Sequence, residues 1–384
     1  MASDNAPKKA KTARKPKAKP IPPEAYESSQ LALFQGYLVN TEAGRDSLSH
    51  MMHLWDSVPR YSLPRKVQEK WKRDDEFPHV RQISFTYLKQ PITAVILPAR
   101  LPKYDANGNI TGEVVQWYPS SREELIEHAL RRLATQKQMG FYDEAENRSG
   151  LCFTLHQLRK ELIAHGHSMT AAEIAEGLDV LNLSSIEFSP QGEDKNNVAR
   201  FGRVQFLPSL HGVKRKDLEK SPDAKWFAEF NPYVTANIAE LKYRQFNYDR
   251  LMNCRTQLSR WVLGDLVLKF TFAAVTESFT LRFSTVKRES GLLDRYTAER
   301  QAVAELDETM EEMKTLGALM HIKREETRGP RNKLLDVAYT VIPTRAFAIE
   351  QKAANRRLQE AKGIRRAGGA AQLMPDLEPI GNEC

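Results

Sequence analysis

One order of elements can be read twice along this chain: strand, helix, turn, helix, strand, polar turn, strand. Few packings satisfy it. In the first run Phe153 lies in a short strand, and Leu155, Leu158 and Leu162 line a helix that stops near Gly166. Thr170 caps a second helix, with Ile174, Leu178 and Leu181 on its inner face. Residues 186–188 read as a strand, 190–197 as a polar turn and 198–207 as the return strand. In the second run, residues 256–270 form an amphipathic helix with Leu258, Trp261, Val262, Leu266 and Phe270. Phe279, Leu281 and Phe283 alternate as a strand, and residues 284–292 form a helix broken by Gly291. Residues 296–316 form a long helix with Val303, Leu306, Met310 and Met313 at heptad-like spacing. A strand at 319–324, a turn at 325–333 containing Gly329-Pro330 and a return strand at 334–341 complete it. Only the order recurs; the two runs share no residue pattern that would make them a sequence repeat.

The expected fold class is therefore α+β, with two winged-helix domains in tandem, preceded by a β-containing N-terminal extension and a disordered basic tail. Residues 1–44 are the tail, rich in Lys, Ala and Pro. Residues 45–119 are the extension. A helix over 45–56 presents Leu48, Met51, Met52 and Trp55, and strands follow around Ile83–Tyr87, 93–97 and 114–118. Winged helix 1 occupies 120–208 and opens on a helix whose Ser121-Arg-Glu-Glu124 has capping-box spacing. A linker is expected over 209–229, winged helix 2 over 230–345, and a basic helix ending in a disordered tail over 346–384.

The net charge is +8, but the first twenty residues hold seven Lys and Arg against one Asp. A basic tail attracts phosphates without regard to sequence. Any sequence preference must come from the folded part. No apolar run approaches the roughly 20 residues of a membrane helix, and no apolar stretch follows the basic N-terminus as in a secretory signal. Three cysteines, Cys152, Cys254 and Cys384, are far apart and odd in number, which fits a reducing cytoplasm and no metal site. No cofactor is expected.

The two runs differ in charge. The second helix of the first run, residues 170–179, exposes Glu173, Glu176 and Asp179 and no Lys or Arg. Phosphates would repel it, so this unit reads as a dimerisation or protein-contact module, or as purely structural. The long helix of the second run offers Arg295, Thr297, Arg300 and Gln301 from its first two turns. Arg and Gln can form paired bonds to guanine and adenine edges in the major groove. Lys287 and Arg288 on the preceding helix, and Lys323, Arg324, Arg328, Arg331 and Lys333 in the wing, suit phosphate or minor-groove contacts. The alternative is a solvated face whose cations pair with Glu325 and Glu326.

At this point the residues resemble the iteron-binding plasmid replication initiators. The resemblance is carried by Phe230-Asn-Pro232, Phe246-Asn-Tyr248, Leu251, the helix around Trp261, and the stretch from Tyr296 through Met313, Leu319 and Lys323 to Val337-Ala-Tyr339. It implies double-stranded origin DNA with direct repeats as partner, opening of an adjacent AT-rich segment, and recruitment of the host replicative helicase and initiator. It also implies a homodimer in equilibrium with monomer, the dimer repressing its own gene. Separately, Gln30-Leu31-Ala32-Leu33-Phe34 resembles the short motif that docks on the bacterial sliding clamp, with Gln30 at a pocket rim, Leu33 and Phe34 filling an apolar pocket, and Leu31 within the same motif. The alternative is a segment that packs on the protein's own body.

Enzyme signatures are absent: there is no phosphate-binding Gly-x-x-x-x-Gly-Lys-Ser/Thr loop, no Gly-x-Ser-x-Gly and no His-Glu-x-x-His. His165-Gly166-His167 superficially resembles the metal-binding pair of rolling-circle nicking enzymes, but it falls at a helix end, where His is favoured by the dipole. The expectation is a non-enzymatic DNA-binding protein of the bacterial cytoplasm. A winged-helix transcriptional regulator is the main alternative.

Overall fold

The computed structural model describes residues 47–87, 90–105, 109–136, 139–190, 202–212 and 224–367. The basic tail with its clamp-like Gln30, Leu31, Leu33 and Phe34, most of the turn expected at 190–197, and residues 368–384 lie outside the described residues. Among the described residues no helix is long and apolar enough to cross a membrane.

The second unit has the expected arrangement. Helix α8 (Gln257–Lys269) starts at Thr256, whose hydroxyl accepts the Ser259 N–H. Strand β13 (Phe279–Arg282), helix α9 (Phe283–Ser290), helix α10 (Glu299–Thr315) and strands β14 (Leu319–Arg328) and β15 (Leu334–Pro343) follow. The sheet order is β13-β15-β14, all antiparallel, with Leu281 opposite Tyr339 and Glu326 opposite Val337. Val337, Tyr339 and Val341 alternate inward beneath Leu306, Met310 and Met313 of α10. Gly291 ends α9 at φ +62°, the left-handed conformation that glycine enters most readily.

The first unit departs from expectation in its strands. Helices α3 (Ser121–Ala134), α4 (Leu155–Ala164) and α5 (Ala171–Leu183) form as read, with Thr170 capping α5 through the Glu173 N–H. Strand β7 (Arg148–Thr154), however, does not join the wing hairpin β8 (Ser185–Pro190) and β9 (Gly202–Gln205). It pairs with β6 (Gly140–Asp143) and with β11 (Lys225–Glu229), which in turn pairs with β10 (Leu210–His211). The stretch expected to be a linker over 209–229 thus supplies two strands of this unit, because Trp226 and Ala228 alternate into its core. The wing hairpin is extended by the N-terminal strands instead. The hairpin β2 (Arg81–Tyr87) and β3 (Gln90–Leu97) lies against β8, giving the order β2-β3-β8-β9. The cap of α3 falls one residue earlier than expected: Ser120 N–H and Oγ both bond Glu123 Oε2, at 2.8 and 2.7 Å. Glu124 is released to meet Arg260 of α8 at 2.8 Å.

The N-terminal extension is not an appendage. Residues 48–52, expected as helix, form β1 (Leu48–Met52), paired with β12 (Tyr243–Asn247). Pairing from a distant segment overrides the helical spacing of Leu48, Met51, Met52 and Trp55. A short helix α1 (His53–Ser57) follows, and this segment sits between α3 of the first unit and α8 of the second. Trp55, Asp56, Arg60 and Tyr61 are buried there with Glu127 and Arg131 of α3. Arg60 bonds Asp56 at 2.7 Å and Glu127 at 3.1 Å. Arg131 bonds Asp56 at 2.5 and 2.9 Å, and the Trp55 indole N–H donates to Glu127 at 2.6 Å. On the other side Gln257 of α8 donates to the Tyr61 carbonyl at 2.7 Å. Burial favours the neutral form of both carboxyls, but the guanidiniums outweigh it and hold Asp56 and Glu127 below the ordinary carboxylate range.

His128 borders this cluster, its Nδ1 3.1 Å from Arg131 Nη2. Burial, then the Arg131 charge, push its pKa down from 6.5 to about 3. The unfolded chain therefore takes up a proton near pH 6.5 that the folded chain refuses until far lower, so stability is lost as pH falls through that window. From pH 8 to pH 5 this histidine alone is expected to cost about 2 kcal/mol. Urea unfolding at both pH values checks it, with His128→Asn losing less over the same interval. An equal loss in the variant would place the acid sensitivity elsewhere.

Candidate nucleic-acid interface

Helix α10 is built to show one face. Ala302, Val303, Leu306, Met310 and Met313 are buried, so Arg300, Gln301, Ala304, Glu308 and Glu311 point outward. The helix begins at Glu299, three residues later than expected. Arg295 and Thr297 therefore lie in the connection before it rather than on its first turn. Tyr296 is tied down there: its hydroxyl donates to Glu305 at 2.6 Å, its N–H to the Leu293 carbonyl at 3.2 Å. Glu299 then opens the helix where a carboxylate suits the dipole.

Lys287 of α9 comes within 3.8 Å of Glu299, which places the end of α9 beside the start of α10. The wing meets α10 farther along. Arg324 Nε donates to Asp307 Oδ1 at 2.9 Å, and the Tyr339 hydroxyl donates to the same oxygen at 2.7 Å. The wing tip runs Gly329-Pro330-Arg331-Asn332-Lys333, closed by Gly329 N–H to the Lys333 carbonyl at 2.8 Å. Arg331 and Asn332 both take positive φ, +58° and +59°, which turns the chain sharply and leaves Arg331 and Lys333 exposed.

The eleven residues singled out from sequence divide into two groups. Arg300, Gln301, Arg331, Lys333 and Thr297 are exposed, and no ion pair joins any of the three cations to another described residue. The other six each meet a carboxylate. Lys287 faces Glu299, Arg288 meets Glu289 at 3.0 Å, Arg295 meets Glu305 at 3.1 Å and Lys323 meets Glu325 at 2.8 Å. Arg324 meets Asp307 and Glu326, and Arg328 meets Glu326 at 2.5 Å. The salt-bridged face weighed as an alternative is thus present in part, alongside three cations that no described residue pairs.

Sequence reasoning missed two residues that shape this face. Asp307 joins α10 to the wing, and Asp336 accepts Ser284 N–H and Oγ at 3.0 and 2.9 Å at the start of α9; Glu326, expected as an ion-pair partner, joins two wing arginines. The partners of Asp307 and Asp336 lie 17 to 52 residues away in sequence, beyond the reach of local periodicity. The one usable signal was Asp307 itself, an acid on a helix whose charged partners had to come from elsewhere.

The corresponding helix of the first unit, α5, is covered. Glu176 pairs with Arg122 at 3.0 Å and with Arg65 of helix α2 (Arg65–Arg73). Val180 is fully buried beneath Ala99, Leu101 and Trp117 of the hairpin β4 (Ala99–Tyr104) and β5 (Ile110–Trp117). The extension thus occupies the side of α5 that a groove would need. His165 and His167 are also engaged, with Asp249 Oδ1 at 3.0 Å and the Met252 carbonyl at 2.8 Å. Among the described residues no cluster of His, Cys, Asp and Glu could hold a metal.

The fold defines an α+β protein with tandem winged helices, the second open and the first covered. No protein-family model matches the chain and no curated protein matches its sequence. Among solved structures it is similar to domains 2 and 3 of RctB, at TM-score 0.47 and 9 % identity over 75 % of this chain and 97 % of that one. A second structure of RctB domains 2–3 gives 0.41 and 8 %, covering 71 % and 94 %. The Pi initiator protein in complex with iteron DNA gives 0.41 and 11 %, covering 58 % and 91 %.

Proposed function

We propose that this chain is a plasmid-type replication initiator that binds repeated double-stranded DNA at an origin through its second winged helix. The observation that carries the DNA reading is the asymmetry between the units. Helix α10 and the wing present Arg300, Gln301, Arg331 and Lys333 on open surface, whereas α5 is acidic and covered. In this reading α10 enters the major groove with Arg300 and Gln301 at base edges, and the wing tip lies against phosphates or the adjacent minor groove. The initiator role rests on the sequence resemblance over 230–342 and on the clamp-like Gln30–Phe34 segment.

The protein acts by binding, without covalent chemistry of its own. Several copies on adjacent repeats would distort the duplex and help open the AT-rich segment. The first unit serves dimerisation or host-protein contacts, the dimer represses the chain's own gene, and the clamp, helicase and host initiator are the recruited partners, all in the bacterial cytoplasm. A footprint on the noncoding DNA flanking the gene tests this. Protection of tandem direct repeats is expected. Protection of a single inverted repeat in the promoter alone would make the chain a transcriptional regulator, and a Mg²⁺-dependent nick would make it an enzyme.

A further inference from the structure

Arg324, Glu326 and Arg328 stand at alternate positions on β14, which places them on one side of the strand. Glu326 Oε1 accepts Arg324 Nη1 at 2.7 Å and Oε2 accepts Arg328 Nε at 2.7 Å. One carboxylate therefore serves two guanidiniums. The ladder is anchored at both ends: Arg324 also holds Asp307 of α10, and Arg328 Nη1 donates to the Asn332 carbonyl at the wing tip at 3.1 Å. The two arginines lower the affinity of Glu326 for a proton, so it stays charged.

Resting on the DNA reading above, we propose that Glu326 is a specificity-determining residue: it competes with DNA phosphate for Arg324 and Arg328 and so suppresses binding to duplex of any sequence. A cation already matched by a carboxylate gains little from a phosphate, and it releases no condensed counterion unless the carboxylate is displaced. Among the described residues no carboxylate pairs with Arg300 in this way, so base readout on α10 keeps its full weight. Lowering affinity for wrong sites while sparing the right one raises the ratio between them, which is what a protein searching a genome needs. Asp307 is a positioning residue in the same device, since it sets where the ladder meets the reading helix.

The test is Glu326→Gln on the full chain, titrated with a random-sequence 30-base-pair duplex between 50 and 200 mM salt. The amide keeps an acceptor for the arginines, and a thermal unfolding scan identical to wild type confirms that the wing is intact. Binding tighter than wild type at 50 mM is expected. The salt slope should steepen by one to two phosphates, so affinity falls across that range by an extra factor of about 3–12. Equal or weaker binding with the wild-type slope, in a folded variant, would overturn the assignment. Arg331→Ala with Lys333→Ala leaving the wild-type affinity and salt slope unchanged would instead remove the DNA reading on which it rests. Glu326→Ala gives a second variant: it too should bind the random duplex more tightly, because the competing charge is gone.

Discussion

Replacing Glu127 with Ala is expected to destabilise the protein by about 3–5 kcal/mol, because it leaves buried guanidiniums without their partner. Glu127 accepts the Trp55 indole and the Tyr61 hydroxyl as well as Arg60. Its loss leaves Asp56 alone to balance Arg60 and Arg131, and it strands two further buried donors, the Trp55 indole and the Tyr61 hydroxyl. Urea unfolding monitored by tryptophan fluorescence measures the loss. Glu127→Gln should cost less, since it keeps an acceptor for Trp55. A change below about 1 kcal/mol in the Ala variant would mean that the cluster is hydrated or rearranges freely. The consequence is not confined to stability. This cluster, with Arg260 and Glu124, joins α3 to α8 and so fixes how the covered unit sits beside the open one.

Arg300→Ala should act in the opposite way, leaving unfolding unchanged and weakening recognition. Arg300 is exposed on α10 and packs in no core. Loss of a paired contact to a base edge costs roughly 1–3 kcal/mol, or about 5- to 150-fold at the preferred site. Binding to random duplex should change far less, apart from one phosphate's worth of salt dependence if the side chain also grazes the backbone. Competition titrations with both DNAs measure the two effects. Equal losses on preferred and random duplex would show that Arg300 touches phosphate only. The contrast with Glu127→Ala separates the residues that hold the platform from those that use it.

Helices were the most readable part of this chain. The apolar spacing of Val303, Leu306, Met310 and Met313 needs only one neighbouring layer to bury it, so periodicity locates α10. Thr170 and Thr256 cap their helices through amides three residues on, a contact that is local by nature. Strand pairing was harder, since a strand's partner is a long-range choice. The sequence of β1 carries a helical pattern, yet Tyr243–Asn247 recruits it into a sheet. Likewise β7 finds β11 rather than the wing, because Trp226 and Ala228 fill the core beside Leu151 and Phe153. For the candidate site, residue type and order single out Arg300, Gln301 and the basic wing as candidates. They could not separate open cations from matched ones, since Arg324 depends on Asp307, 17 positions away across the sheet edge. The covering of α5 by the extension was similarly out of reach, although the acidity of α5 hinted that it faced something other than DNA.

The central claim is that α10, and not α5, enters the groove. A photo-crosslinking side chain placed at Gln301 of α10, or at Ala172 on the exposed part of α5, tests it directly in a complex with duplex from the flanking noncoding DNA. Crosslinks to bases from position 301 and none from position 172 are the predicted result. Base crosslinks from position 172, with position 301 silent, would contradict the account.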